Sequence, residues 1–319
     1  MLIGATIGHE LWIIAVLAVL LTQTATIATS VYLHRALAHR AIRVHRAADV
    51  VLRLVLWLTT GQHRREWVAV HRKHHAYTDR HGDPHSPQLV GLWRVQLFNV
   101  LYYAREARNA ETLRRFAPDV LEDRLDRLML SRGWVGLGLG IAGLMVLFGP
   151  AIGGAVAGGH ALLYVFVVAP LINGIGHWHG RQNFDNTAYN SRVLAWVTGG
   201  ESLHNNHHAH PRAPKFSVMR SEFDPSWLVI RALVRLGLVT IDGGPAHAYA
   251  GTGTRGRHDD VGRPEDVLAA PGTKRDVAGG RARRSARWLR GGGDRGGVCR
   301  LVIRGFRHRS PRPGQEARR

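Results

Sequence analysis

The apolar residues of this chain come in long blocks rather than in a short alternation. Leu11 to Leu33 runs 23 residues without a formal charge, long enough to cross a bilayer core of ~30 Å at 1.5 Å per residue. No basic residues precede it and no cleavage site follows a short apolar core, so it reads as a retained anchor rather than a leader. Gly133 to Gly159 is a second apolar run, and Ala161 to Gly176 extends it beyond His160. Gly149-Pro150 and Gly158-Gly159 mark possible turning points; the whole predicts two membrane helices joined as a hairpin. Ala48 to Gly61 is also apolar, but it is short and carries Asp49 and Arg53, so alone it fits either a crossing or a helix lying in the interface. Pro225 to Gly237 predicts a final interfacial helix.

Polar, histidine-bearing segments separate these blocks: His34–Arg46, Gly61–Arg132 and His177–Arg220. Parity constrains the path. If the histidines build one site they must end on one side of the membrane, so Ala48–Gly61 does not cross while the later hairpin crosses twice. The expected fold is an all-α integral membrane protein with three crossings, interfacial helices and a helical cap carrying a histidine-rich dimetal site. The 13 Lys plus Arg of Gly61–Arg132 favour the cytoplasmic side for that cap.

Charge and composition change the picture mainly at the C-terminal end. Of 319 residues, 43 are Lys or Arg and 23 Asp or Glu, a net charge of +20. Residues 251–319 hold 18 of those basic and 7 of those acidic residues with few large apolar ones, too little apolar surface to fold alone. A membrane domain over 1–250 followed by a disordered basic tail over 251–319 is the expected organisation. The run Arg281, Arg283, Arg284, Arg287 and Arg290 could meet anionic lipid; no nucleic-acid partner is expected. Cys299 is the single cysteine, so an internal disulfide is impossible and any metal must be held by histidine, carboxylate or amide. "GLGLGIAG" at Gly136–Gly143 lies in a membrane run without a preceding soluble strand, and its Gly136-x-x-x-Gly140 spacing reads as helix packing rather than a nucleotide loop.

Eight of the 20 histidines fall into three short boxes: "HRALAHR" with His34 and His39, "HRKHH" with His71, His74 and His75, and "HNNHH" with His204, His207 and His208. On a helix, positions three and four apart share a face. His71 therefore neighbours both His74 and His75, which diverge by about 100°, so each of the adjacent pair can turn to a different metal. Eight imidazoles are too many for one ion and suit two, at four or five ligands each. His34 and His39, five apart, do not share a face on a regular helix, so either the helix unwinds there or the two approach the site from different angles. His9, His45, His63, His81, His160, His210, His247, His258 and His308 read as ordinary surface or core residues.

These boxes and their flanks, "EWVAVHRKHHAYTDRHGDPHSP" and "GESLHNNHHAHPRAPKFS", resemble those of the integral-membrane fatty acid desaturases, a resemblance that covers about Leu11–Leu238. It implies a di-iron centre (two iron ions cycling between Fe2+ and Fe3+), O2 as co-substrate, and removal of two hydrogens from a methylene pair of a long fatty acyl-CoA or acyl lipid. It implies a bacterial inner-membrane type of enzyme with the lipid bilayer around its helices. In that family a ninth histidine follows an Asn-x-x-x-His motif; "NGIGH" matches it, giving His177 as the ninth ligand and Asn173 as holder of a metal-bound water, with His179 as the competitor. Glu66, Asp79, Asp83 and Glu201 lie near the boxes and are candidates to orient the ligands' other ring nitrogens. Trp57, Trp67 and Trp178 could wall an acyl tunnel. Relatives that take coenzyme-A thioesters often carry Arg-Asp directly before the second box; Ala69-Val70 stands there, which leaves a lipid-linked chain as open as a CoA thioester. The chain shows neither a haem-binding motif nor a cysteine set for an iron–sulfur cluster, so electrons must come from a ferredoxin- or cytochrome-type donor and its reductase. Arg64, Arg65, Arg72 and Lys73 could dock an acidic donor. A membrane hydroxylase with similar boxes, and a non-enzymatic metal transporter or metal-binding protein, are the rival expectations.

Overall fold

A computed structural model describes the backbone of residues 2–242 and the side chains of residues 10–242; the tail expected over 251–319, and its boundary at 250, lie outside the described residues. The chain opens with α1 (Leu2–Ala28), which continues without a break as a wide-turn π-helix over Thr29–Ala38. A short strand β1 (Ile42–Val44) follows, then α2 (Arg46–Thr59) and α3 (Arg64–Tyr77), which carries the second histidine box. The cap is completed by α4 (Pro87–Val90), α5 (Leu92–Ala107) and α6 (Ala110–Phe116). The hairpin is α7 (Gly133–Phe148) and α8 (Pro150–Ala161), the latter running on through a π-turn at Leu162–Val168 into α9 (Ala169–Asn173). Three shorter helices close the chain: α10 (Arg192–Val197), α11 (His204–Ala209) with the third box, and α12 (Pro225–Arg235). Strand β2 (Val239–Ile241) pairs antiparallel with β1, Ile42 opposite Ile241, so the described chain is helical with one two-stranded ribbon rather than all-α.

Two helical stretches are long and apolar enough to cross a membrane, Glu10–Ala38 with 29 residues and Pro150–His177 with 28. α7 is apolar but shorter, at 16 residues. The hairpin turns at Gly149, whose φ of +83° suits glycine, and Pro150 starts the return helix. Gly158 and Gly159 lie inside α8 and turn nothing. α2 has 14 residues, about 21 Å of helix, short of a ~30 Å core. Trp134, Val146 and Leu147 of α7 are each more than 70% exposed. Apolar side chains turned outward along an apolar helix form a surface suited to contact with lipid or with another protein.

Close backbone approach holds the hairpin to the rest. A side chain at Gly136 or Gly140 would run into the backbone carbonyls of Trp57 and Leu58, and one at Gly133 into that of Gly61. This is the helix-packing use of the Gly136-x-x-x-Gly140 spacing. Lower down, His160 Nε2–H donates to the Thr59 carbonyl at 2.9 Å, and its Nδ1 lies 3.0 Å from Thr22 Oγ1. One buried imidazole thus ties α1, α2 and α8 together.

The cap is fastened by ion pairs. Arg53 of α2 reaches Asp49, Asp123 and Asp126, and Arg64 of α3 reaches Asp126 as well. Arg72 pairs with Asp119 and also donates to the Leu37 and Ala38 carbonyls, and Lys73 pairs with Glu106. Arg64, Arg72 and Lys73, considered above for an external partner, are thus spent on internal bonds.

Candidate metal centre

The three boxes arrive from three helices. The π-helical end of the first rod delivers His34 and His39, α3 delivers His71, His74 and His75, and α11 delivers His204, His207 and His208. His177 comes from the end of the second long apolar stretch. Their ring nitrogens fall into two sets, each with all its ligand atoms within 4.8 Å of one another: His34, His39, His71, His75 and His207 in one, His74, His177, His204 and His208 in the other. All nine histidines singled out in the sequence take part. His179 is exposed and belongs to neither set.

The adjacent pairs divide as helix geometry requires. His75 and His207 turn to the five-histidine set, His74 and His208 to the four-histidine set. His34 and His39 meet by a different device. Where a regular helix separates residues five apart by about 140°, the π-helix bonds His39 N–H to the His34 carbonyl at 3.1 Å and brings both rings to one side.

Nε2 is the inward atom throughout. In the first set, His34 and His207 Nε2 are 3.0 Å apart, His207 and His75 2.9 Å, and His39 and His71 2.8 Å. In the second, His177 Nε2 lies 3.1 Å from that of His74 and 3.0 Å from that of His204, which is 3.2 Å from His208. The outward nitrogens explain why. His34 Nδ1–H donates to Glu201 at 2.5 Å, His74 Nδ1–H to both oxygens of Asp83 at 3.0 Å, His177 Nδ1–H to Asp79 at 2.9 Å, and His204 Nδ1–H to the Glu201 carbonyl at 3.1 Å. An imidazole whose single proton sits on the outward nitrogen turns a lone pair inward. Lone pairs at hydrogen-bond distance with no proton between them repel; a cation among them removes the conflict. The donor set therefore fits metal ions that accept imidazole.

Electrostatics agree. Burial holds His71, His75, His204, His207 and His208 well below the usual histidine range, and neighbouring imidazoles add to it, so they stay neutral and free to ligate. Burial alone would raise Asp83 and lower His74; their mutual attraction outweighs it, holding Asp83 below and His74 above its ordinary value. Burial likewise pushes Asp79 and Glu201 up, and the bonds from His177 and from His34 and Arg35 bring them down.

Not every candidate reaches the histidines. Asp79, Asp83 and Glu201 do. Glu66 does not: it is part-buried near His63, Arg108 and Glu122, where burial raises its pKa. Asn173 Nδ2 donates to Asn99 Oδ1 at 3.1 Å, and no hydrogen bond joins it to a histidine of either set. Trp67 stacks on His71 at 4.8 Å, while Trp57 donates its indole N–H to the Arg132 carbonyl and Trp178 is 45% exposed. Two residues were missed. His85 is buried, stacks on His74 at 4.9 Å, and takes a backbone bond to Asp83; the Asp83-x-His85 spacing was its signal. Arg35 is fully buried beside Glu201; its place directly after His34 was a signal, but a basic residue there reads equally as topogenic charge.

Two carboxylate-braced imidazole sets, carried by a helical chain with two long apolar stretches, have the donor chemistry of a metal site. The fatty acid desaturase family profile matches residues 10–220. Curated relatives agree: the hex-5-enoyl-[acyl-carrier protein] acetylenase of Moorena producens (strain JHB) is 32% identical over 67% of this chain and 71% of its own length. The acyl-CoA 5-desaturase AL21 of Anemone leveillei is 31% identical over 66% of each chain, and the sn-2 palmitoyl-lipid 9-desaturase of Nostoc sp. (strain 36) is 31% identical over 64% of this chain and 72% of its own. The chain belongs to the fatty acid desaturase family, and it is an oxidoreductase of fatty acyl chains.

Proposed function

We propose that this chain inserts a cis double bond into a long acyl chain, CoA- or lipid-linked, using O2 and two iron ions, one in each histidine set. The observation that carries the reading is the division of His74 from His75 and of His207 from His208 between the two sets. A single closed metal site needs no such division. Iron, when bound, supplies the oxidising power to break an unactivated C–H bond that side chains lack. The protein's part is to hold nine imidazoles on fixed axes, to engage the outward nitrogens of His34, His74, His177 and His204 with Glu201, Asp83, Asp79 and the Glu201 carbonyl, and to bury the inward nitrogens from bulk water.

The membrane reading belongs to the same proposal: three crossings, with α7 completing the hairpin, α2 and α12 in the interface, and the histidines under the cytoplasmic leaflet of an inner membrane. The two long apolar stretches and the outward apolar face of α7 support it. Electrons come from a separate ferredoxin- or cytochrome-type donor with its reductase. A water held by Asn173 would donate to its amide oxygen, while its Nδ2 stays bonded to Asn99. The relatives' names span acyl-CoA, acyl-lipid and acyl-carrier-protein substrates, and the test decides among carriers.

Lipid profiling of a host expressing the chain, with the purified protein assayed for iron and for conversion of a deuterated acyl substrate, tests all of this. Two irons per chain and an O2-dependent alkene are expected. An alcohol identifies a hydroxylase, an alkyne an acetylenase, and oxygen-independent metal movement a transporter; each of these overturns the reading.

A further inference from the structure

The geometry points to Arg35 as a positioning residue for the five-histidine set, acting through Glu201 and Phe216; the inference rests on the two-metal reading above. Arg35 is the largest fully buried side chain. One terminal nitrogen meets both oxygens of Asp224 at 3.0 and 2.9 Å. The other lies 3.4 Å from Glu201 Oε1 and bonds the Ser30 hydroxyl, which itself bonds Glu201. The guanidinium carbon sits 3.7 Å over the Phe216 ring. Glu201 turns its other oxygen to His34 Nδ1 at 2.5 Å. Phe216 in turn rests against the rings of His34 at 5.4 Å and His207 at 4.7 Å. Arg35 thus controls the orientation of two of the five rings, His34 by a hydrogen-bonded carboxylate and both by a packed aromatic face.

The chemistry calls for arginine. Asp224 and Glu201 are both buried and converge on one point. Asp224 also caps α12 by accepting from Trp227 N–H at 3.1 Å, and it takes Phe216 N–H at 2.8 Å. A planar guanidinium presents two separate nitrogens, one to Asp224 and one toward Glu201 and Ser30, while its face stacks on Phe216; a lysine ammonium is a single point without that plane. Gly200, at φ +92°, lets this happen, because a side chain there would collide with Asp224. The four-histidine set does not use the Glu201 carboxylate: His74 and His177 lean on Asp83 and Asp79, and His204 meets only the Glu201 backbone carbonyl.

The test is a titration of the full-length, metal-free protein with Co(II) alone, followed by its ligand-field spectrum. Wild type is expected to take up two Co(II) per chain. Arg35→Lys, which keeps the charge, should weaken one of the two sites about tenfold or more, the usual cost of losing an outer partner of a metal-bound histidine, and leave the other unchanged. Glu201→Gln, with Arg35 intact, should weaken the same site and so serves if Arg35→Lys does not fold. A purely structural role would loosen both sites together, since α11 supplies ligands to both; that result, or an isotherm identical to wild type, overturns the assignment. A wild-type chain that holds fewer than two Co(II) instead overturns the two-metal reading beneath it.

Discussion

The two histidine sets share helices yet are braced differently. The four-histidine set leans on carboxylates: Asp79 and Asp83, both from the turn after α3, take the outward protons of His177 and His74. The five-histidine set has one carboxylate, Glu201, and otherwise leans on rings, with Trp67 stacked on His71 and Phe216 against His34 and His207. A carboxylate fixes a ring by charge and direction; an aromatic neighbour fixes it by shape. The four-histidine set should therefore fail mainly through loss of charge, the five-histidine set through loss of either Glu201 or its packed rings.

The largest effect is expected from removing a central ligand. His207→Ala takes away a ring whose Nε2 lies within 3.0 Å of two others. It should lower acyl turnover by more than about 100-fold, beyond the range seen when only an outer partner is lost, and metal analysis should find the four-histidine set still filled. His208→Ala should give the reverse occupancy; emptying of both sets in either variant would break the comparison. Asp83→Asn comes next. It removes the charge beside His74, and about 10- to 100-fold weaker metal binding at the four-histidine set alone is expected, read from a metal titration. Trp67→Leu removes a stacked ring worth about 0.5–1.5 kcal/mol. Its cost, a few-fold in metal affinity, should fall on the five-histidine set. Gly140→Leu is the control. Overfilling the α2–α7 contact should cost about 1–3 kcal/mol of stability, seen as a lower melting temperature with both sets filled.

Much of the centre was legible because helix periodicity is local. The spacing of His71, His74 and His75 states which rings share a face and which diverge, and the split at His207 and His208 follows the same rule. The apolar blocks likewise carry their own length, so Leu11–Leu33 falls within the stretch Glu10–Ala38. What sequence hid was tertiary. The five-residue spacing of His34 and His39 announces a departure from a regular helix, but not that the helix widens into a π-helix instead of unwinding. Glu66 is closer in sequence to His71 than Glu201 is to His34, yet Glu201 binds a box ring and Glu66 does not. Gly158-Gly159 looks like a turn, but it lies inside α8, where the absence of a side chain at Gly159 admits the close approach of Ala18 of α1. The pairing of β1 with β2 joins residues nearly 200 positions apart, beyond any window of local pattern.

The wide helical turn over Thr29–Ala38 makes chain length itself part of the chemistry. Narrowing this stretch to an ordinary α-helix without changing its length would leave His39 about 140° round the axis from His34. Removing one residue between the two at the same time would put them four apart and return them to a shared face. The width of the turn and the number of residues it spans are therefore matched to each other, and a change in either alone separates the two rings.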